Sequence, residues 1–484
     1  MQATATNPRA EAAPAVVPML IGGQWREGRA TSDVIDPYRG EPVARAPGST
    51  QGDLNDALDA AVAARAQAAA MPGFERAKLL RRVIDLLLER ADDIALTMAR
   101  ETGKAIKDAR AEVVRSQDTV SLAAEEAIRI EGSHVPLDGS AMGAGKLAML
   151  LRFPVGVVAG ITPFNAPFNL ACHKVAPALA AGNVIVLKPP PQAPLTVHKM
   201  VELFVDAGTP AGFLNVVYGH EVGPALVRDP RVDFITFTGS SKVGAEIKAA
   251  SGMRRVALEL GGNGPTILCE DAVVDECAPL CARNAMRLAG QSCISVQTVF
   301  AHEDVYEAFV ARLVEEVEKL RLGDPLDEAT DVGTLIDEAA ARRVESWIRE
   351  AEAAGARVLT GGRRHGAAVE PSVVVDVQPS MKVVCDEVFG PLVTVQPFRD
   401  LEAVIGGINA SRFGLHCGVF TRSLEVALHC ARAIRTGGVI INGTSTWRTD
   451  QLPYGGIKDS GQGREGPRYS MRDMTDERLV VFNL

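Results

Sequence analysis

The chain has 484 residues, 47% of them hydrophobic and 23% charged, with a net charge of −9. Such a balance describes two or three ordinary soluble domains, each with enough apolar material for its own core, and argues against nonspecific nucleic-acid binding. No segment reaches the roughly 18–20 apolar residues of a membrane helix, and the eight cysteines are scattered rather than framed, so a reducing, cytoplasmic setting is expected.

Residues 1–16 are rich in Ala and Pro and lack the basic and apolar regions of a signal peptide, so they read as a mobile leader. Short strands interrupted by Gly, Pro and Asp follow. Three helical stretches come next: an Ala-rich one after Ser49-Thr50, a long one from Phe74 with Leu and Ile at three- and four-residue steps that stops at Gly103, and a third from Ile106 to about Gly132. Beyond that point strands and helices alternate. "NVIVLKP", "LNVVYG", "VDFITFTG" and "RVALELGG" are continuous apolar strands separated by helices, the pattern of a parallel sheet covered on both faces. Ligands of such a doubly wound sheet bind at the carboxyl ends of its strands. A second α/β series runs through "TVFA", "SVVVDV" and "LVTVQPF". Its first helix carries Cys277 and Cys281 on one face; with no CxxC or His pair beside them they read as small buried hydrophobes, and no metal site is expected. The last strand, "RLVVFNL", has no neighbour in sequence to pair with, which makes it a plausible edge for another subunit.

Several strand ends carry polar groups suited to chemistry. In "FTGSSKVG", Gly239 and Gly244 flank the opening of a helix whose free N–H groups suit an anion, although a strand–turn–helix corner needs glycine for its own sake. Lys188 ends the strand "NVIVLK", within reach of a sugar or phosphate. Asn165, held in the Pro-flanked loop "ITPFNAPFN", can offer an amide N–H to a developing oxyanion. Glu259 ends an apolar strand, where burial raises a carboxyl toward general-base range. Cys293 sits in "LAGQSCISVQ" among small polar residues, a weak signal when taken alone.

The order of these motifs is more specific than any of them. Asn165, Lys188, "GSSKVG", Glu259 and "GQSC", followed by "CDEVFGP" and "PYGGIKDSG", resemble the aldehyde dehydrogenase superfamily over nearly the whole chain, from "LIGGQW" to "LVVFNL". The resemblance implies an α/β fold. Residues 17–132 and 152–261 would form a doubly wound coenzyme domain and residues 262–465 a second α/β catalytic domain. Residues 133–151 and 466–484 would form a small β arm that builds a homodimer or homotetramer. It also implies roles. Cys293 would be the nucleophile and Glu259 the base that activates water. Asn165, with the Cys293 backbone N–H, would hold the oxyanion, and Lys174 would belong to a proton relay, although a structural helix lysine is an equal reading. Ile161, Thr162, Pro163 and Phe164 would border the cofactor. Lys188 and Glu387 would hold its riboses, Gly239, Ser240 and Gly244 its pyrophosphate, and Phe389 would pack beside the nicotinamide ribose.

One departure bears on the cofactor. Many NAD-preferring relatives have Glu where this chain has Pro191, so the carboxylate that would repel a 2′-phosphate is missing. NAD is expected, with NADP tolerated. For the substrate, the motifs look most like the lactaldehyde and glycolaldehyde dehydrogenase branch, with phosphonoacetaldehyde or succinate semialdehyde oxidation as alternatives. Phe168, Ser292 and Ile294 are expected at the pocket. Arg448, in "TSTWRTDQLPYGG", can anchor an anionic end or simply pair with Asp450. A CoA-acylating enzyme is disfavoured by the presence of Glu259, a non-enzymatic structural relative by the presence of both Cys293 and Glu259, and a cysteine hydrolase by the absence of His from these motifs.

Overall fold

The computed structural model describes residues 15–484. Most of the expected leader therefore lies outside the described residues; within them, Val16 already forms a bridge with Arg45.

The first sheet has eight strands in the order Gln24–Arg26, Met19–Ile21, Leu214–Val216, Val184–Lys188, Val157–Ile161, Phe234–Thr238, Arg255–Glu259, Gly461–Gln462. The five from Leu214–Val216 to Arg255–Glu259 are parallel. The chain starts at Val157–Ile161, steps outward through the next two strands, then returns to the other side of its starting strand at Phe234–Thr238. That reversal opens a crevice at the carboxyl ends of these strands. Val157–Ile161 and Val184–Lys188 are buried throughout, which is why they read as unbroken apolar runs.

The second sheet has seven strands in the order Arg357–Thr360, Ser372–Val375, Leu392–Phe398, Thr298–His302, Pro265–Leu268, His416–Phe420, Gly438–Ile441. All neighbours are parallel except the first pair. The chain passes between the two sheets at 260–264, directly after Glu259.

The tail strand, which has no neighbour in sequence, finds its partner across the fold. Thr475–Asn483 pairs antiparallel with Lys146–Pro154, which also holds Ser133–Val135, in a three-stranded sheet. The outer edge of the tail strand remains open and carries exposed Leu479, Val481 and Phe482. Before reaching this sheet the chain recrosses to the first one: Gly461–Gln462 pairs with Arg255–Glu259, and the helix Pro467–Asp473 packs on the helices Ile106–Glu126 and Pro167–Ala180. The long helix expected from Phe74 is broken at Arg90 (φ −112°) into Gly73–Glu89 and Ala91–Thr102, because the guanidinium reaches Asp206 and the backbone N–H caps Leu86 and Leu87. Its end at Gly103, with φ 71°, matches the expectation, and a side chain there would collide with Thr334. Among the described residues no helix is long and apolar enough to cross a membrane.

Candidate active site

Six segments converge on the crevice: the loop 162–166, the strand end at Thr238–Ser240, Glu259–Gly261, the turn carrying Cys293, the loop bearing Glu387 and Phe389, and the loop bearing Arg448. The cavity they border has a volume of about 570 Å³.

Cys293 is half-buried and follows an unusual turn. Leu288 (φ 57°), Ala289 (φ 51°) and Gly290 (φ 69°) are three consecutive left-handed residues. For the two non-glycine residues this conformation costs roughly 1–2 kcal/mol each, and the surroundings must hold it. The Asp108 carboxylate accepts from Arg287 Nε at 3.0 Å and the Leu288 N–H at 3.4 Å, and Gln291 Oε1 accepts from the Ile336 N–H at 3.0 Å. Cys293 Sγ lies 3.0 Å from the Tyr454 hydroxyl. Burial pushes the thiol up to about 12, with the Tyr454 hydrogen bond and the Arg448 charge pulling the other way. The thiol is therefore the resting form at neutral pH. The other cysteines lie away from the crevice, and Cys277 and Cys281 are core residues, as expected.

Asn165 reaches the same place from the first sheet. Its Nδ2 donates to the Gln291 carbonyl at 2.9 Å, which ties the loop 162–166 to the Cys293 turn. The loop is fixed at its far end as well. The buried Glu112, paired with Lys104, accepts from the N–H groups of Phe168 and Asn169 at 3.0 and 3.1 Å, where the helix Pro167–Ala180 begins.

Glu259 is 4% exposed, and neither carboxyl oxygen has a hydrogen-bond partner among the described residues. Burial, and then the charge of Glu465, push it well above the usual carboxylate range, against the pull of Lys174, Arg448 and Arg464. An unpartnered carboxyl in such surroundings is a stronger base when it does ionise. Lys174 is not bonded to it: the Lys174 ammonium donates to Glu465 Oε1 at 2.8 Å, and both side chains are buried.

Around the cofactor positions, Pro163, Phe164, Gly239, Ser240, Glu387 and Phe389 all line the crevice, whereas Ile161, Thr162 and Lys188 are buried and do not line it. Phe164 and Phe389 meet edge-on at 6.0 Å, and Phe389 is itself left-handed (φ 47°). Ser240 caps the helix Ser241–Ala250 by accepting from the Val243 N–H. Gly239 lies against the Phe237 ring, which a Cβ would approach within 2.4 Å. Gly244 has a different reason to be glycine: a Cβ would come within 2.5 Å of Leu260, so the residue permits close helix packing and does not line the crevice. Burial lowers the Lys188 ammonium to about 8 and raises Glu387 to about 7, while Glu387 also accepts from the Gly262 N–H at 3.2 Å. A helix N-terminus, a buried lysine, a carboxyl and the unpartnered buried hydroxyl of Thr238 fit a dinucleotide, whose pyrophosphate Ser240 would hold and whose riboses Lys188 and Glu387 would hold.

Of the residues expected at the substrate pocket, Arg448 lines the crevice. Its Nη2 lies 3.3 Å from Asp450 Oδ1 and 3.7 Å from Glu465 Oε2, its guanidinium stacks 3.8 Å from the Tyr454 ring centre, and its buried Nε has no partner among the described residues. Asp450 also receives Arg115 at 2.8 Å and His173 at 3.2 Å. Although burial acts against its charge, His173 and Arg115 hold Asp450 well below the usual carboxylate range. Ile294 packs with Leu415, Tyr454 and Cys293, Ser292 turns back to accept from the Ile294 N–H, and, contrary to expectation, neither Ile294 nor Ser292 lines the crevice. Phe168, expected beside the substrate, is a fully buried core residue and does not line the crevice.

Residues 25–480 match the model of the aldehyde dehydrogenase family. The chain belongs to this family. It is 42% identical over 468 residues to the 3-sulfolactaldehyde dehydrogenase of Priestia megaterium, covering 96% of this chain and 98% of that one. Aldehyde dehydrogenase 21 of Physcomitrella patens, solved with the reaction product succinate, superposes with a TM-score of 0.95 at 38% identity, covering 98% and 99% of the two chains. The NADP-dependent glyceraldehyde-3-phosphate dehydrogenase of Bacillus halodurans, solved with NADP, superposes at 0.94 with 36% identity over 97% and 99%. The protein is thus an NAD(P)-dependent aldehyde dehydrogenase with the family's α/β fold.

In this aldehyde dehydrogenase, sequence reading assigned no role to Tyr454, Glu465, Gln192, Ile336 or Arg343, all of which line the crevice. Tyr454 lay within the quoted "PYGG", but nothing in that motif says that the hydroxyl meets Cys293.

Proposed function

We propose that this aldehyde dehydrogenase oxidises a small aldehyde with an anionic far end to the corresponding acid, using Cys293 as nucleophile and Glu259 as general base. The Cys293 thiol releases its proton to solvent, the thiolate so formed attacks the carbonyl carbon, and the new oxyanion is held by the Asn165 amide and the Cys293 backbone N–H. One such donor is typically worth about 3 kcal/mol. A nicotinamide cofactor, when bound, would supply the hydride acceptor for the oxidation, after which Cys293 carries the acyl group as a thioester. Glu259 then takes a proton from water, the hydroxide adds to the thioester carbon, and the Cys293 thiolate leaves with release of the acid. The orphaned carboxyl of Glu259 supports hydrolysis over transfer to CoA.

The observation that carries the anionic substrate is Arg448, a buried guanidinium in the crevice with an unpartnered Nε. The names of the relatives point the same way, since sulfolactaldehyde, succinate and glyceraldehyde-3-phosphate carry a sulfonate, carboxylates and a phosphate. A sulfonate or carboxylate aldehyde is preferred here over neutral lactaldehyde or glycolaldehyde. The test is kcat/KM for sulfonated, carboxylated, phosphorylated and neutral aldehydes, each with NAD and NADP, in wild type and Arg448→Ala. Loss of a charge-assisted contact raises KM for the anionic aldehydes about 10-fold or more beyond any change seen with the neutral ones. Equal effects on both kinds would remove the anchor. With no carboxylate at Pro191, both cofactors are accepted and NAD is favoured. The open edge of Thr475–Asn483 supports assembly into a homodimer or homotetramer.

A further inference from the structure

Tyr454 closes the crevice behind Cys293. Its hydroxyl is 3.0 Å from Sγ, and the ring packs with Ile294 and Leu415. The ring is held from two further sides. The Arg448 guanidinium stacks on one face at 3.8 Å, and the His416 ring meets it edge-on at 5.0 Å, itself anchored by a 3.1 Å contact from Nδ1 to the Ser445 carbonyl. The backbone is fixed as well: the Tyr454 N–H donates to the Glu465 carbonyl at 3.0 Å, and the Glu465 N–H donates back at 2.6 Å. A side chain clamped this way in an otherwise apolar cluster is placed for its one polar atom.

We propose that Tyr454 is a catalytic residue whose hydroxyl donates a hydrogen bond to the Cys293 sulfur whenever that sulfur carries negative charge. This rests on the reading of Cys293 as nucleophile. In the resting thiol either group can donate. Once the thiol has lost its proton to solvent, only the O–H···S⁻ arrangement remains, and it is charge-assisted. Tyr454 neither takes the thiol proton nor gives up its own; burial keeps the phenol protonated far above neutral pH, so it is a donor throughout the cycle. The same bond forms again when the thioester collapses and the thiolate departs. Arg448 above the ring adds positive potential that strengthens the donor, so one guanidinium serves both the far end of the substrate and the nucleophile. The charged and titratable groups facing Cys293 are Glu387, Glu259, Arg448 and Tyr454; those facing Tyr454 are Cys293, Arg448, Glu259 and His416.

The readout is the pH dependence of Cys293 alkylation by iodoacetamide, followed by peptide mass spectrometry on the full-length protein. Tyr454→Phe keeps the ring and removes the donor. It is expected to raise the midpoint of alkylation by about one pH unit and to lower both the alkylation rate at neutral pH and kcat/KM about 10-fold. Site-specific 3-fluorotyrosine at 454 keeps the shape and makes the hydroxyl a better donor, so it is expected to shift the midpoint the other way, which a packing effect cannot reproduce. A Tyr454→Phe profile that overlays the wild type, or shifts of the same sign in both variants, overturns the proposal. Activity surviving in Cys293→Ala would instead overturn the nucleophile assignment, a separate outcome.

Discussion

Lys174 and Glu465 form a fully buried ion pair, 2.8 Å from Nζ to Oε1, directly behind Glu259. Although burial opposes its charge, Glu465 is held below the usual carboxylate range by Lys174, His173 and Arg448, and its charge in turn helps to keep Glu259 protonated. Removing Lys174 takes away the hydrogen-bonded partner of Glu465 and leaves only the more distant Arg448 (3.7 Å) and His173 (4.0 Å) to compensate its buried charge. Lys174→Met is expected to cost about 3–5 kcal/mol of stability, whereas Lys174→Met combined with Glu465→Leu recovers most of it. Urea unfolding of the three variants measures both effects, and additive losses would show that the two residues are not coupled.

Cofactor binding should depend on pH in a narrow window. Glu387, raised to about 7, accepts hydrogen bonds best above that value, when ionised; Lys188, lowered to about 8, keeps its charge below that value. The cofactor KM is therefore expected to be lowest between about 7 and about 8 and to rise on either side. Glu387→Gln removes the acidic limb only, and Lys188→Met the basic limb only. The check is a KM–pH profile for each cofactor, and a flat wild-type profile would contradict it.

Glu259→Gln separates the two halves of the reaction. The first turnover should survive as a burst of reduced cofactor about equal to the enzyme concentration, because thioester formation does not need the base. Steady-state turnover should fall by about 100-fold or more, the usual worth of a positioned base. Stopped-flow absorbance distinguishes this from a uniform loss, which would place Glu259 in the first half as well.

Gly290 is the residue on which the nucleophile turn depends. It has φ 69°, and a Cβ would come within 1.9 Å of the Gly390 carbonyl oxygen. Gly290→Ala is expected to destabilise by about 3 kcal/mol or more and to expose Cys293 to thiol reagents. Thermal unfolding and labelling with a thiol reagent test this, and a variant with wild-type stability would mean that the turn is freer than its geometry implies.

The alternation of apolar strands and helices, the pairing of Asn165, Glu259 and Cys293 with strand ends and loops, and the missing carboxylate at Pro191 were all legible in the sequence. They depend on local periodicity, on turn chemistry and on a motif order that survives without coordinates. The contacts that tune the chemistry were not. Tyr454 and Cys293 are 161 positions apart, and Lys174 and Glu465 are 291 apart. Such pairs form only when the second sheet and the returning chain at Gly461 pack against the first. That packing decided that Lys174 bonds Glu465 and not Glu259, while the packing of the first sheet with its own helices decided that Gly244 yields space to Leu260 and that Phe168 points into the core. A residue's type limits what it can donate, accept or bury; which group it meets across hundreds of positions is set by burial, where every charge and hydroxyl must find its partner in three dimensions.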